Sequence, residues 1–198
     1  MACGGRDETG DTGGAYHRYA RGMVAEVSSI MGETCSTAFE VPALIRGCAD
    51  RPGDVVSMGD ADGTHHVVVD CVLSHCLTAT HVKKASRRPG SVTAAAEKRK
   101  FRRYQELVRQ GRHRFIPFAM EAGGRLGGHA SAWLEELARR RVRRSRDWTT
   151  STERARRDTL RSYRERCSLA IHSVIASHSY AMLLSARSDT SDVTRRTL

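Results

Sequence analysis

Four side chains stand where their types and spacing could do chemistry on a phosphodiester. Asp54 opens the strand-like run Val55-Val56-Ser57-Met58, and Asp70 lies inside the apolar run His66 to Leu73. Lys100 follows on a helical segment with Tyr104 four residues on, and Glu121 closes Phe115-Ile116-Pro117-Phe118-Ala119-Met120. Two carboxylates on consecutive strands repel unless a cation lies between them. Hard oxygen ligands select Mg²⁺ or Mn²⁺. A cation and a lysine ammonium together stabilise charge on a reacting phosphate. Asp54 and Asp70 are therefore the candidate metal ligands. Lys100 is the candidate catalytic cation, and Glu121 an optional third carboxylate. Each has a plainer reading. Aspartate is common at turns, Glu121 could be a solvated strand end, and Lys100 could belong to a solvated basic face. Asp70 resists such a reading, because a lone charge inside an apolar run is costly to bury.

Lysine usage points the same way. The chain has 33 Lys plus Arg, but its only lysines are Lys83, Lys84, Lys98 and Lys100. Arginine effectively never loses its proton, whereas a desolvated lysine can. A chain that prefers arginine keeps lysine where a compact ammonium matters, unless the clustering is chance. Lys100 and Tyr104 share a helix face by their spacing, and Lys98 points elsewhere.

The formal net charge is +11 over 198 residues. A balance that basic points first to nucleic acid and second to an anionic membrane surface. Lys83, Lys84, Arg87, Arg88, Lys98, Arg99, Arg102 and Arg103 form one basic group, and Arg139, Arg140, Arg143 and Arg144 a second. Both are candidates for sequence-independent phosphate contacts with DNA, or alternatively RNA. No apolar run is long enough to span a bilayer, and no secretory pattern opens the chain, so an intracellular and nuclear protein is expected. The six cysteines form no C-x-x-C pair and read as reduced thiols. The His and Cys residues between His65 and His81 match no familiar zinc spacing.

The elements that must position these residues can be read from periodicity. Residues 1–14 lack apolar periodicity and read as disordered. Tyr16, Tyr19, Met23, Val27, Ile30 and Met31 recur at helical spacing, with Gly32 as a stop. Phe39-Glu40-Val41 is a candidate short strand. Val55–Met58 and His66–Leu73, joined across Gly59-Asp60-Ala61-Asp62-Gly63, predict an antiparallel hairpin with the second strand central. Residues 83–93 read as a basic loop and Thr93–Gln110 as one helix. Phe115–Met120 is a third strand, with Pro117 arguing for an edge or a bulge. Residues 129–185 read as a basic helical extension, its last helix running from about Asp158 to Leu184, and 186–198 as a disordered tail. The fold expected is α/β, a small mixed sheet over residues 15–128 flanked by helices.

Taken together, these motifs resemble the restriction-like endonuclease domain near the C-terminus of site-specific non-LTR retrotransposon polyproteins. That family carries a basic residue before a P-D step, a second acid in an apolar D-V-x-V strand, and a helical K-x-x-x-Y. Here they stand as Arg51-Pro52-Gly53-Asp54 with one inserted glycine, as Asp70-Cys71-Val72, and as Lys100 with Tyr104. Phe115 to Glu121 followed by Gly123-Gly124, and Ser168-Leu169-Ala170-Ile171, also look like segments of related retrotransposon proteins. The resemblance covers roughly residues 15 to 185. It implies a restriction-endonuclease-like fold, Mg²⁺- or Mn²⁺-dependent nicking of DNA, and a reverse transcriptase as partner within the same element. Val72 stands where the usual (D/E)-x-K strand motif has lysine, so the catalytic cation would come from the helix. The alternatives to an endonuclease are a non-catalytic nucleic-acid-binding protein and an inactive relic of such an element.

Overall fold

The computed structural model describes residues 13–41, 53–57, 66–111, 113–145 and 152–196, with side chains between 21 and 176 except Val174. The first helix, α1 (Gly13–Gly32), puts Met23, Val27, Ile30 and Met31 on one buried stripe. It stops at Gly32 as its sequence predicts. A four-stranded sheet follows, with spatial order β1 (Thr37–Phe39), β2 (Val55–Ser57), β3 (His66–Ser74) and β4 (His113–Glu121). The first three strands form an antiparallel meander, and β4 pairs parallel with β3. A parallel neighbour requires a crossover. It is made by α2 (Val82–Arg87), α3 (Ser91–Arg103) and α4 (Gln105–Arg109). The chain closes with α5 (Gly128–Arg144) and α6 (Thr152–Arg196). The protein is thus mixed α/β, with a four-stranded mixed sheet flanked by helices.

Strand β3 is buried without interruption from Val67 to Cys71, which explains its continuous apolar run. Its odd-numbered residues Val67, Val69 and Cys71 face α1, α5 and α6, in one core with Met23, Ile116, Phe118, Trp133, Leu137, Tyr163 and Ile171. Val68 faces the other way, with Val56, Leu107, Phe115, Phe101 and Tyr104. Pro117 is accommodated because β4 pairs on one side only, at the sheet edge. Among the described residues no helix is long and apolar enough to cross a membrane.

Several elements differ from expectation. The segment expected as a basic loop contains the short helix α2. The single helix expected over 93–110 is two, because Tyr104 leaves helical geometry at φ −103°, ψ 26°. Its ring is held against Phe115 at 4.9 Å, so tertiary packing overrides local propensity. The backbone of α6 stays helical to Arg196, well past Leu184 and through most of the expected tail. Residues 129–185 are not peripheral to the core. Trp133, Leu134, Leu137, Tyr163 and Cys167 complete the larger cluster. The segments 1–12 and Gly59–Gly63, with Arg51 and Pro52, lie outside the described residues.

Candidate metal centre

The β2–β3 register sets the site. Val55 stands opposite Val69 and Val56 opposite Val68, so one step further Asp54 stands opposite Asp70. The Asp54 backbone N–H donates to Val69 O at 2.8 Å, and the Cys71 N–H donates to Asp54 Oδ2 at 2.7 Å. Side chains two apart share a sheet face, so Asp70 lies on the Val68 side, beneath α3 and α4. Gly53 makes the approach feasible. Its φ of +83° is in the left-handed region, and a Cβ there would run into Val68 and sit 3.0 Å from Val69 O. The glycine inserted between Pro52 and Asp54 thus lets β2 close onto β3 with the carboxylate in place.

Lys100 reaches this pair from above. Its Nζ lies 2.7 Å from Asp70 Oδ2, with only 15% of the lysine side chain and 5% of the aspartate exposed. Oδ2 has no aligned hydrogen-bond donor, so the contact is an ion pair by proximity. One turn on, the Tyr104 hydroxyl lies near the Gly53 backbone and the Asp70 carboxylate. Burial first, then the Asp70 charge, push this phenol up to about 12, so it is a neutral donor at physiological pH. The Asp54 carboxyl is pushed up to about 6 by burial and then by the Asp70 charge. The Cys71 N–H and Lys100 pull it back, and a hydrogen bond to Asp70 favours its protonated form. Two buried carboxyls that face each other and compete for one ammonium form a dyad short of one positive charge.

That deficit is the fit for a hard divalent ion. Asp54 and Asp70 would hold it. Among the described residues no group of three or more His, Cys, Asp or Glu could ligate a metal. Water and substrate oxygens would complete the shell, the usual state of Mg²⁺ bound through one or two carboxylates. The Cys71 thiol, buried and pushed well above its ordinary range by burial and then by both aspartates, stays protonated and is a poor ligand.

The other expected site residue is placed elsewhere. In the β3–β4 register Pro117 stands opposite Asp70 and Glu121 opposite Ser74. Four residues along a strand separate Glu121 from the dyad by roughly 13 Å. Glu121 instead pairs with Arg125 at 3.6 Å, beside a turn closed by its N–H to Arg125 O. Glu26 on α1 is bound to Arg166 Nε at 2.6 Å on the sheet's other face.

The two basic groups fall on opposite faces of the sheet. Lys83, Lys84, Arg87, Arg88, Lys98, Arg99, Arg102 and Arg103 are exposed on the side that carries the dyad. Arg139, Arg140, Arg143 and Arg144 belong to α5, which packs on the opposite face. Arg140 is engaged there by Glu136 at 2.6 Å and lies over the Trp133 ring. Glu97 gave no local signal in the sequence. It is buried one turn before Lys100, and its Oε1 accepts the His129 N–H at 2.9 Å, capping α5 from a distance. A Cβ on Gly127 would run into that carboxylate. Sequence motifs could not show this cap, because its partners are 32 residues apart.

No protein-family model, curated protein or solved structure matches the chain.

Proposed function

We propose that the chain is a metal-dependent DNA endonuclease domain of retrotransposon origin, with a restriction-endonuclease-like sheet, that nicks DNA by phosphodiester hydrolysis. The observation that carries this reading is the meeting of Asp54, Asp70, Lys100 and Tyr104 at one point, from two strands and the crossover helix between β3 and β4. Mg²⁺ or Mn²⁺ bound by the dyad would supply Lewis-acid stabilisation and an acidified water. Asp54 and Asp70 hold their carboxylates ready for it at a cost in mutual repulsion. Lys100 pairs with Asp70 at 2.7 Å and sets an ammonium beside the place where phosphate charge would develop. Tyr104 presents a phenolic donor from the same helix face. The exposed basic side chains of α2 and α3 surround this end of the sheet and suit the strand to be cut. Nuclear location and a reverse transcriptase in the same element go with this reading.

A non-catalytic nucleic-acid-binding protein is the second reading. It is favoured by one observation, that Lys100 already neutralises Asp70 at 2.7 Å. Plasmid nicking with and without Mg²⁺ or Mn²⁺ separates the two. Under the endonuclease reading the wild-type chain nicks only with metal, and Asp70→Asn abolishes nicking while DNA binding persists. Nicking that survives Asp70→Asn, or its absence with either metal, refutes the endonuclease reading.

A further inference from the structure

We propose that Arg99 and Arg103 form a phosphate clamp on the flank of α3, gripping substrate phosphates next to the one presented to Lys100. This rests on the endonuclease reading and deepens it by dividing one basic helix into a working flank and a solvated back. Val92, Thr93, Ala96 and Glu97 are the buried face of α3, and Lys100 continues that face over the dyad. Ala94, Ala95, Lys98 and Arg102 form the exposed back, Lys98 and Arg102 lying nearly half a turn round from Lys100. Arg99 precedes Lys100, and Arg103 follows it by three. Both are exposed, like Lys98 and Arg102, but helical spacing puts both on the same side of Lys100, next to the Val92–Ala96 edge of the buried face.

Arg103 is also tied to the site. Its guanidinium carbon lies 5.7 Å from the centroid of the Tyr104 ring, a cation–π arrangement that keeps the head group from drifting into solvent. Its charge is felt by the Tyr104 hydroxyl, which faces Asp70 and Gly53. Arg99 and Arg103 are four residues apart, about 6 Å along the helix, a spacing that neighbouring phosphates of one strand can occupy. Guanidinium forks take phosphate oxygens two at a time. The two arginines would therefore fix the register of the strand against Lys100, where Lys98 and Arg102 add only general charge.

Binding of a labelled short DNA duplex to the full chain, without metal and over a salt series, tests this. Each of Arg99→Ala, Arg103→Ala, Lys98→Ala and Arg102→Ala removes one charge from the same helix, so a purely electrostatic surface weakens all four alike. The clamp requires Arg99→Ala and Arg103→Ala to weaken binding about tenfold or more and to reduce the salt slope by about one. The other two should cost less than about threefold. Arg103→Lys should stay close to Arg103→Ala, since a lysine keeps the charge and loses the fork. Equal losses across the four, or full rescue by lysine, overturn the clamp. A wild-type chain that shows the flank-specific pattern but never nicks with Mg²⁺ or Mn²⁺ leaves the clamp standing and removes the endonuclease. A chain that nicks with four equivalent variants does the reverse.

Discussion

Replacing Asp54 by asparagine should stabilise the metal-free protein while destroying its proposed activity. Asparagine keeps an oxygen to accept the Cys71 N–H and removes the charge that burial and Asp70 oppose. A carboxyl raised from 3.8 to about 6 costs the folded protein about 3 kcal/mol when ionised, at about 1.36 kcal/mol per pH unit. The folded form binds this proton more tightly than the unfolded chain. The penalty is therefore fully present above about pH 6, shrinks as pH falls, and is gone below about 3.8, where both states are protonated. Between pH 7 and pH 5 wild type should gain roughly 1 kcal/mol from this group. Asp54→Asn should show no such gain, and at pH 7 should exceed wild type by about 1 to 3 kcal/mol. Glu33, whose carboxyl is held low because the guanidinium and hydroxyl groups of Arg166, Tyr163 and Arg141 together outweigh the raising effect of burial, the largest single cause, works in the opposite sense at more acidic pH, so pH 5 to 7 is the clean window. Urea denaturation of both proteins across that window measures the difference. Saturating Mg²⁺ at pH 7 should also raise wild-type stability, by about 2.7 kcal/mol at a hundredfold excess over its dissociation constant, and leave Asp54→Asn unmoved. A wild type that loses stability from pH 7 to pH 5, or an Asp54→Asn chain less stable at pH 7, would refute the picture of a strained dyad awaiting a cation.

Lys100→Met should destabilise by about 3 kcal/mol at pH 7, because it strands the buried Asp70 carboxylate without its counterion; adding Asp70→Asn should recover much of that loss in the same urea assay. Gly53→Ala should cost more than about 2 kcal/mol, since its left-handed φ and the approach of Val68 and Val69 are both unfavourable to a Cβ; an unchanged melting temperature would mean β2 does not close on β3 as described. Glu97→Ala should remove the cap at His129 N and lower stability by about 1 kcal/mol, a fall of about 2–4 °C in a chain of this size. Gly127→Ala should do at least as much harm, because a Cβ there meets both the Glu97 carboxylate and Ala119 O at 3.3 Å.

Much of the site was legible because its signals are local. A strand's two-residue period fixes which side chains share a face, so Asp54 before one strand and Asp70 inside the next are brought together by a register that the sequence itself implies. The four-residue spacing of Lys100 and Tyr104 fixes a common helix face in the same way, and the stripe of α1 needed nothing more, whereas the choice between an edge and a bulge at Pro117 was made by the sheet order. What the sequence left open depends on contacts between distant segments. Glu121 was a plausible third ligand until the parallel β3–β4 register placed it four residues beyond the dyad. The break at Tyr104, the Glu97 cap and the Arg166 grip on Glu26 arise where one element meets another across the chain. The two basic groups are indistinguishable as charge runs, and only the packing of α5 against one face of the sheet and α3 against the other decides which lies beside the acids. Periodicity determines which way a side chain points from its own element; only the packing of elements on one another decides what it points at.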